Sequence, residues 1–183
     1  MEFALVLPML LVLLLGVADF GRVFSAGITL EAAARNSAEA AAQEYLQLAR
    51  NKTGGLLSGA DYQHIHDLAS SVACKEGQAL PSNGGGCKLN VSMCVHDNLD
   101  TTLCGTEASA APGNCTQMHD SWDAANLGAT PGGAPPLPYI EVRVCYRFTT
   151  LINLANLQLP FGWSLSLGEL WLERGREFVV ASY

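Results

Sequence analysis

From Phe3 to Ala18 the chain reads FALVLPMLLVLLLGVA, an apolar run that starts one residue after Glu2. It passes without a breaker cluster into ITLEAAARNSAEAAAQEYLQLAR. That continuity predicts one helix to about Arg50, greasy at its tip and amphipathic behind it, with a length of roughly 75 Å at ~1.5 Å per residue. Pro8, Gly16, Gly21 and Gly27 are the expected points of bending. Burying about a dozen large side chains at ~1.5–3 kcal/mol each is worth roughly 20–35 kcal/mol gross against water. Such a rod needs lipid or neighbouring helices around it.

Three readings compete for residues 1–27. A cleaved secretory signal wants a basic start and a small-x-small site after the apolar core, whereas Glu2 is acidic and Asp19, Phe20 and Gly21 follow the run. A plain transmembrane helix wants ~20 apolar residues, and this run stops at Asp19 and Arg22. An assembly helix, held in a membrane and then withdrawn to pack against copies of itself, fits both the shortness and the acid. Glu2 then meets the terminal amine of an adjacent subunit, because a lone carboxylate in an apolar layer costs several kcal/mol. Alternatively, Glu2 lies at the membrane surface and favours the helix N-terminus.

Composition narrows the rest. With 49% hydrophobic and 15% charged residues the chain is not a disordered polymer. Its formal charge is -7 and its ten basic residues are scattered, so no basic stripe exists for nucleic acid. Six cysteines between Cys74 and Cys145 suit disulfides formed outside a reducing cytosol.

The string Glu2-Phe3-Ala4-Leu5-Val6-Leu7-Pro8, a leucine-rich run and then Asp19-Phe20-Gly21-Arg22 resembles the N-terminus of TadE-like pilins of the tight-adherence (Tad) branch of type IV pili. The likeness is close over the first quarter and looser over YIEVRVCYRFTTLI. In such pilins a prepilin peptidase removes a basic leader, leaving the glutamate a few residues from the new N-terminus; in this sequence Glu2 follows Met1 directly. The resemblance implies an extracellular filament for surface attachment, an inner-membrane stage before assembly, and a secretion ATPase and membrane platform as partners. Glu2, Phe3, Leu5, Leu7, Pro8, Leu11, Leu14, Asp19, Phe20 and Arg22 become the expected assembly residues, and copies of the same chain the expected partners.

Behind the helix, Asn51-Lys52-Thr53-Gly54-Gly55 reads as its C-terminal cap. A second helix is predicted from about Asp61 to Ala73, with Tyr62, Ile65, Leu68, Ala69 and Val72 turned toward a sheet. Residues 73–138 read as a loop-rich insertion interrupted by a strand from Lys88 to Val95. Tyr139 to Thr149 alternates cleanly, with Ile140, Val142, Val144, Tyr146 and Phe148 inward. Strands at Trp163–Leu172 and Glu177–Ser182, joined by a turn at Glu173-Arg174-Gly175-Arg176, complete an antiparallel sheet. The expected fold is α+β: an assembly helix over 1–50 and an extracytoplasmic head over 51–183.

Six cysteines allow fifteen pairings. Short loops favour Cys74 with Cys87 and Cys104 with Cys115, which leaves Cys94 with Cys145 on the less apolar faces of two strands. His64-x-His66, Cys94-Val95-His96 and His119 lack the spacing of a zinc site, and Asp97-Asn98-Leu99-Asp100 lacks that of a calcium loop. No cofactor or metal is expected, nor an enzyme, since no nucleophile or phosphate-binding motif is present. Phe20 and Phe24, one turn apart, read as core packing. The other reading of the whole chain is a monomeric, membrane-anchored binding domain or adhesin.

Overall fold

The computed structural model describes residues 2–52, 57–81, 87–96, 102–104, 139–150, 157–158, 164–165 and 169–180. Most of the expected insertion lies outside them, as do Asp97-Asn98-Leu99-Asp100, His119 and Cys115. The architecture is α+β. A 50-residue helix, α1 (Glu2–Asn51), is followed by α2 (Gly59–Glu76) and a 3-10 turn over Gly77–Ala79. Strands β1 (Asn90–His96), β2 (Thr102–Cys104), β3 (Tyr139–Thr149) and β6 (Glu169–Val179) form an antiparallel sheet in the order β2-β1-β3-β6. Between β3 and β6, β4 (Leu157–Gln158) pairs with β5 (Ser164–Leu165) as a separate ladder.

Helix α1 runs unbroken through Pro8, Gly16, Gly21 and Gly27. Behind the tip, Ala26, Leu30, Ala33, Ala34, Ser37, Ala38, Ala41 and Ala42 are buried at spacings of three and four, which draws one stripe along the helix. Small side chains there let α2 and the sheet approach α1 closely. The close approach that the alanine content permits is therefore made inside the molecule. The buried Ser37 hydroxyl donates back to the Ala33 carbonyl at 2.6 Å and is satisfied within its own helix.

Helix α2 buries Ile65, His66, Ala69 and Ala73. It lies chiefly on α1 and meets the sheet mainly at β1, a different seat from the one its periodicity suggested. Asn36 of α1 donates to Glu76 across this seam at 2.9 Å. The start of α2 is fixed by a capping box: the Asp61 carboxylate accepts from the Ser58 amide at 2.6 Å and from the Ser58 hydroxyl at 2.5 Å. Lys52, at the end of α1, pairs with the same carboxylate and ties the two helices together. The Lys52 ammonium and then the Ser58 donors hold Asp61 well below the usual carboxylate range. A lowered folded-state pKa contributes stability above the unfolded value, near 3.9, and that contribution is lost as pH falls further. Asp61→Asn is expected to lower the thermal midpoint of the head at pH 7 and to flatten its decline below pH ~4, as read by circular dichroism.

The sheet turns Val91, Met93 and Val95 of β1 and Ile140, Val142, Val144, Tyr146 and Phe148 of β3 into the core. One strand expectation is overturned. Glu173-Arg174-Gly175-Arg176 is no turn; it lies inside β6, in register with Val142 to Cys145 of β3. Arg174 and Arg176 stand on the face toward α1, where Arg176 and, at 3.9 Å, Arg174 both pair with Glu31. Gly175 stands on the other face beneath Arg143, whose Cγ would lie 3.3 Å from a Cβ at that position. Arg143 in turn bonds Glu141 at 2.7 Å and approaches Glu173 at 3.6 Å. Charges that look like a turn on paper are the ion pairs of an edge strand.

Cys74 and Cys87, one of the three expected pairs, form a disulfide that closes a sequence separation of 13 residues. At Gly77, inside that loop, a Cβ would lie 2.7 Å from the Leu89 side chain, so only glycine admits this approach. Removing both cysteines, as Cys74→Ser with Cys87→Ser, is expected to cost about 3 kcal/mol in denaturant unfolding. The expected bridge from Cys94 to Cys145 is not formed. Cys94 pairs in register with Glu141 and with Cys104, whereas Cys145 pairs with Asn90. Four residues of offset along a strand is about 13 Å, twice the Cα span a disulfide can bridge. Both cysteines are nevertheless disulfide-bonded, each to another partner.

Candidate functional site

The head leaves α1 at a defined level. Arg22 lies over the Phe148 ring, its guanidinium carbon 5.2 Å from the centroid, and its Nη1 meets Asp19 Oδ1 at 3.1 Å. Phe148 is itself fully buried and meets Tyr146 edge to face, with ring centroids 6.5 Å apart. The Tyr146 hydroxyl donates to the Pro81 carbonyl at 2.6 Å, and burial raises its pKa. Farther along α1, Glu31 meets Arg176 and Arg174, which pair with Val142 and Val144 of β3. Helix α1 therefore runs antiparallel to β3, and the end of β3 at Phe148 marks the neck. The residues before Arg22 project about 30 Å beyond it.

Asp19-Phe20-Gly21-Arg22 divides into two faces at this neck. Asp19 and Arg22, three apart, turn toward the head and hold it. Phe20 and Gly21 turn away. Phe20 is 73% exposed, Phe24 65%, Val17 63% and Ile28 58%. Phe20 and Phe24 are thus not core residues of their own molecule. They lie on a part of α1 that the head leaves uncovered. Val17 and Ile28 were not singled out by sequence reasoning, although their spacing from Phe20 of three and eight residues carried the signal.

Beyond the neck, the described tip is exposed on every side. Val6, Leu7, Leu10, Leu11, Leu13, Leu14 and Leu15 all present large apolar surface. Of Glu2, Phe3, Leu5 and Pro8 the structure describes the helical backbone alone, which leaves the proposed pairing of Glu2 outside the described side chains. Among the described residues, α1 is the one helix long and apolar enough to cross a membrane.

Elsewhere the chemistry is structural. The outer face of the sheet carries Glu141, Glu173 and Glu177 around Arg143, lining an open depression. Tyr139 beside them has its pKa raised to about 12 by burial and by the Glu177 and Glu141 charges. His64 is exposed and 3.3 Å from Glu44, whereas His66 is buried in α2 with Nδ1 3.6 Å from Asp67. No group of three or more His, Cys, Asp or Glu is placed to hold a metal ion among the described residues.

A projecting apolar helix, long and apolar enough to cross a membrane, clamped to an α+β head defines a class of chain with a free helical tip. The family model described as TadE-like protein matches residues 1–39, which span the tip, the neck and the first turns inside the head. Over that stretch the chain is similar to the TadE-like family. No curated protein and no solved structure matches the chain.

Proposed function

We infer that this chain is a structural subunit that polymerises through α1 into an extracellular filament of the Tad type, used for surface attachment. The observation that carries this reading is the exposure of eleven large apolar side chains on α1, from Val6 to Ile28, which the head of the same molecule does not cover. A soluble monomer rarely leaves so long an apolar surface uncovered. Before assembly the same tip lies in the inner membrane, since its projecting length of about 30 Å equals a hydrocarbon layer. The TadE-like N-terminus supports a prepilin peptidase, a secretion ATPase and a membrane platform as partners.

A second reading keeps the chain in the membrane as an anchored binding domain, and the suitability of α1 as a membrane span favours it. Shearing cells separates the two. Filaments that contain the chain in bulk support polymerisation; recovery with membranes alone contradicts it. Mass spectrometry of the native N-terminus checks the route, which expects cleavage and N-methylation just upstream of the glutamate.

A further inference from the structure

The neck carries a hole. Four residues at i, i+3, i+4 and i+7 of a helix surround the socket into which a knob from a partner helix inserts. Val17, Phe20, Gly21 and Phe24 stand in that relation, and all four are exposed. A Cβ built on Gly21 would meet nothing within 4 Å. No contact inside the molecule therefore requires a glycine at that position, although glycine is among the poorest helix formers. The result is a socket with backbone for its floor and two phenyl rings and a valine for its walls.

We propose that this socket receives a leucine from the apolar tip of a second copy of the chain. The proposal rests on the polymerisation reading and names where the second copy sits. Its own head does not fill the socket, since Val17, Phe20, Gly21 and Phe24 are all exposed. Lipid does not cover it either. Asp19 and Arg22 sit at the same level, held to the head through Phe148, and a charge pair at that depth keeps the neck out of hydrocarbon. Among the described residues, the longest exposed apolar stretch with matching chemistry is the tip itself. One copy's tip and the other's socket wall together bring on the order of 1,000 Å² of apolar surface to each contact, about the ~1,000 Å² total that a specific interface has to clear.

The two halves of this contact lie at different levels of one helix, leucines at 7–14 and socket at 17–24. Parallel copies must therefore be staggered by roughly ten residues, or ~15 Å. Each contact leaves one socket and one tip unused. Such a heterologous contact does not close into a dimer and propagates as an open filament.

The test uses the full chain in its own cells. Gly21→Leu fills the socket, and is expected to reduce sheared filaments at least tenfold while the thermal midpoint of the head and the Cys74–Cys87 bridge stay unchanged; Gly21→Ala is expected to fall between. Filaments from Gly21→Leu at the wild-type level overturn the socket and leave the polymerisation reading standing. A wild-type chain that yields no filaments overturns that reading, and the socket with it. A second measurement does not depend on the stability of Gly21→Leu: Gly21→Cys combined in turn with Leu7→Cys, Leu10→Cys, Leu11→Cys and Leu14→Cys is oxidised in assembled material. At least one pair is expected to give an intermolecular ladder on non-reducing gels, and the absence of a ladder from all four contradicts the proposal.

Discussion

Replacing Phe148 by alanine is expected to destabilise the head by about 3–5 kcal/mol, the cost of emptying a fully buried aromatic site. Phe148 closes the end of the core nearest the neck and carries the Arg22 guanidinium on its ring. The change therefore has a second consequence that a core cavity elsewhere does not. With the ring gone, Arg22 and Asp19 lose their hold on the head, and the angle between the projecting helix and the sheet is no longer fixed. Ile140→Ala, equally buried but at the opposite end of β3, is expected to cost about 2–5 kcal/mol without this effect. Denaturant unfolding of the two variants measures the stability loss. Their filament yields at matched head stability separate the neck from the core, and equal yields contradict the neck's role.

Leu14→Arg is expected to leave the head's unfolding midpoint where it is and to abolish filaments. Leu14 is among the most exposed tip residues, so no intramolecular contact is lost. Among packed tips an unpaired guanidinium costs several kcal/mol, and about 3 kcal/mol corresponds to roughly a hundredfold in an association constant. At the centre of a membrane helix the same charge costs ~2.5–3.5 kcal/mol, so some loss of membrane recovery is expected as well. Quantifying sheared and membrane-bound chain in parallel resolves the two effects. Normal filaments from Leu14→Arg contradict a polymer held by its tips.

Much of this fold was legible in the residues because its periodicities are strong. The apolar-to-alanine continuity of α1, the alternation of Tyr139 to Thr149 and the three-and-four spacing of α2 use one period each, and the elements stand within a few residues of where that period put them. The misreadings have a common cause. Arg174-Gly175-Arg176 reads as a turn because charges and glycine mark turns locally, whereas Glu31 and Arg143, distant in sequence, make those residues an edge strand. The Cys94–Cys145 bridge failed on register, which alternation alone cannot supply: both residues take the outer face, four positions apart. At the site, Asp19 to Arg22 was recognisable as a unit, but its division into an inward clamp and an outward wall depends on Phe148, more than a hundred residues away.

Electron cryomicroscopy of sheared surface filaments tests the central claim most directly. The expected map has α1 of each subunit toward the axis, Val6 to Leu15 of one copy against Val17 to Phe24 of another, and the sheet facing solvent. Filaments that lack the chain, or a map in which its leading helix touches no other copy, would contradict it.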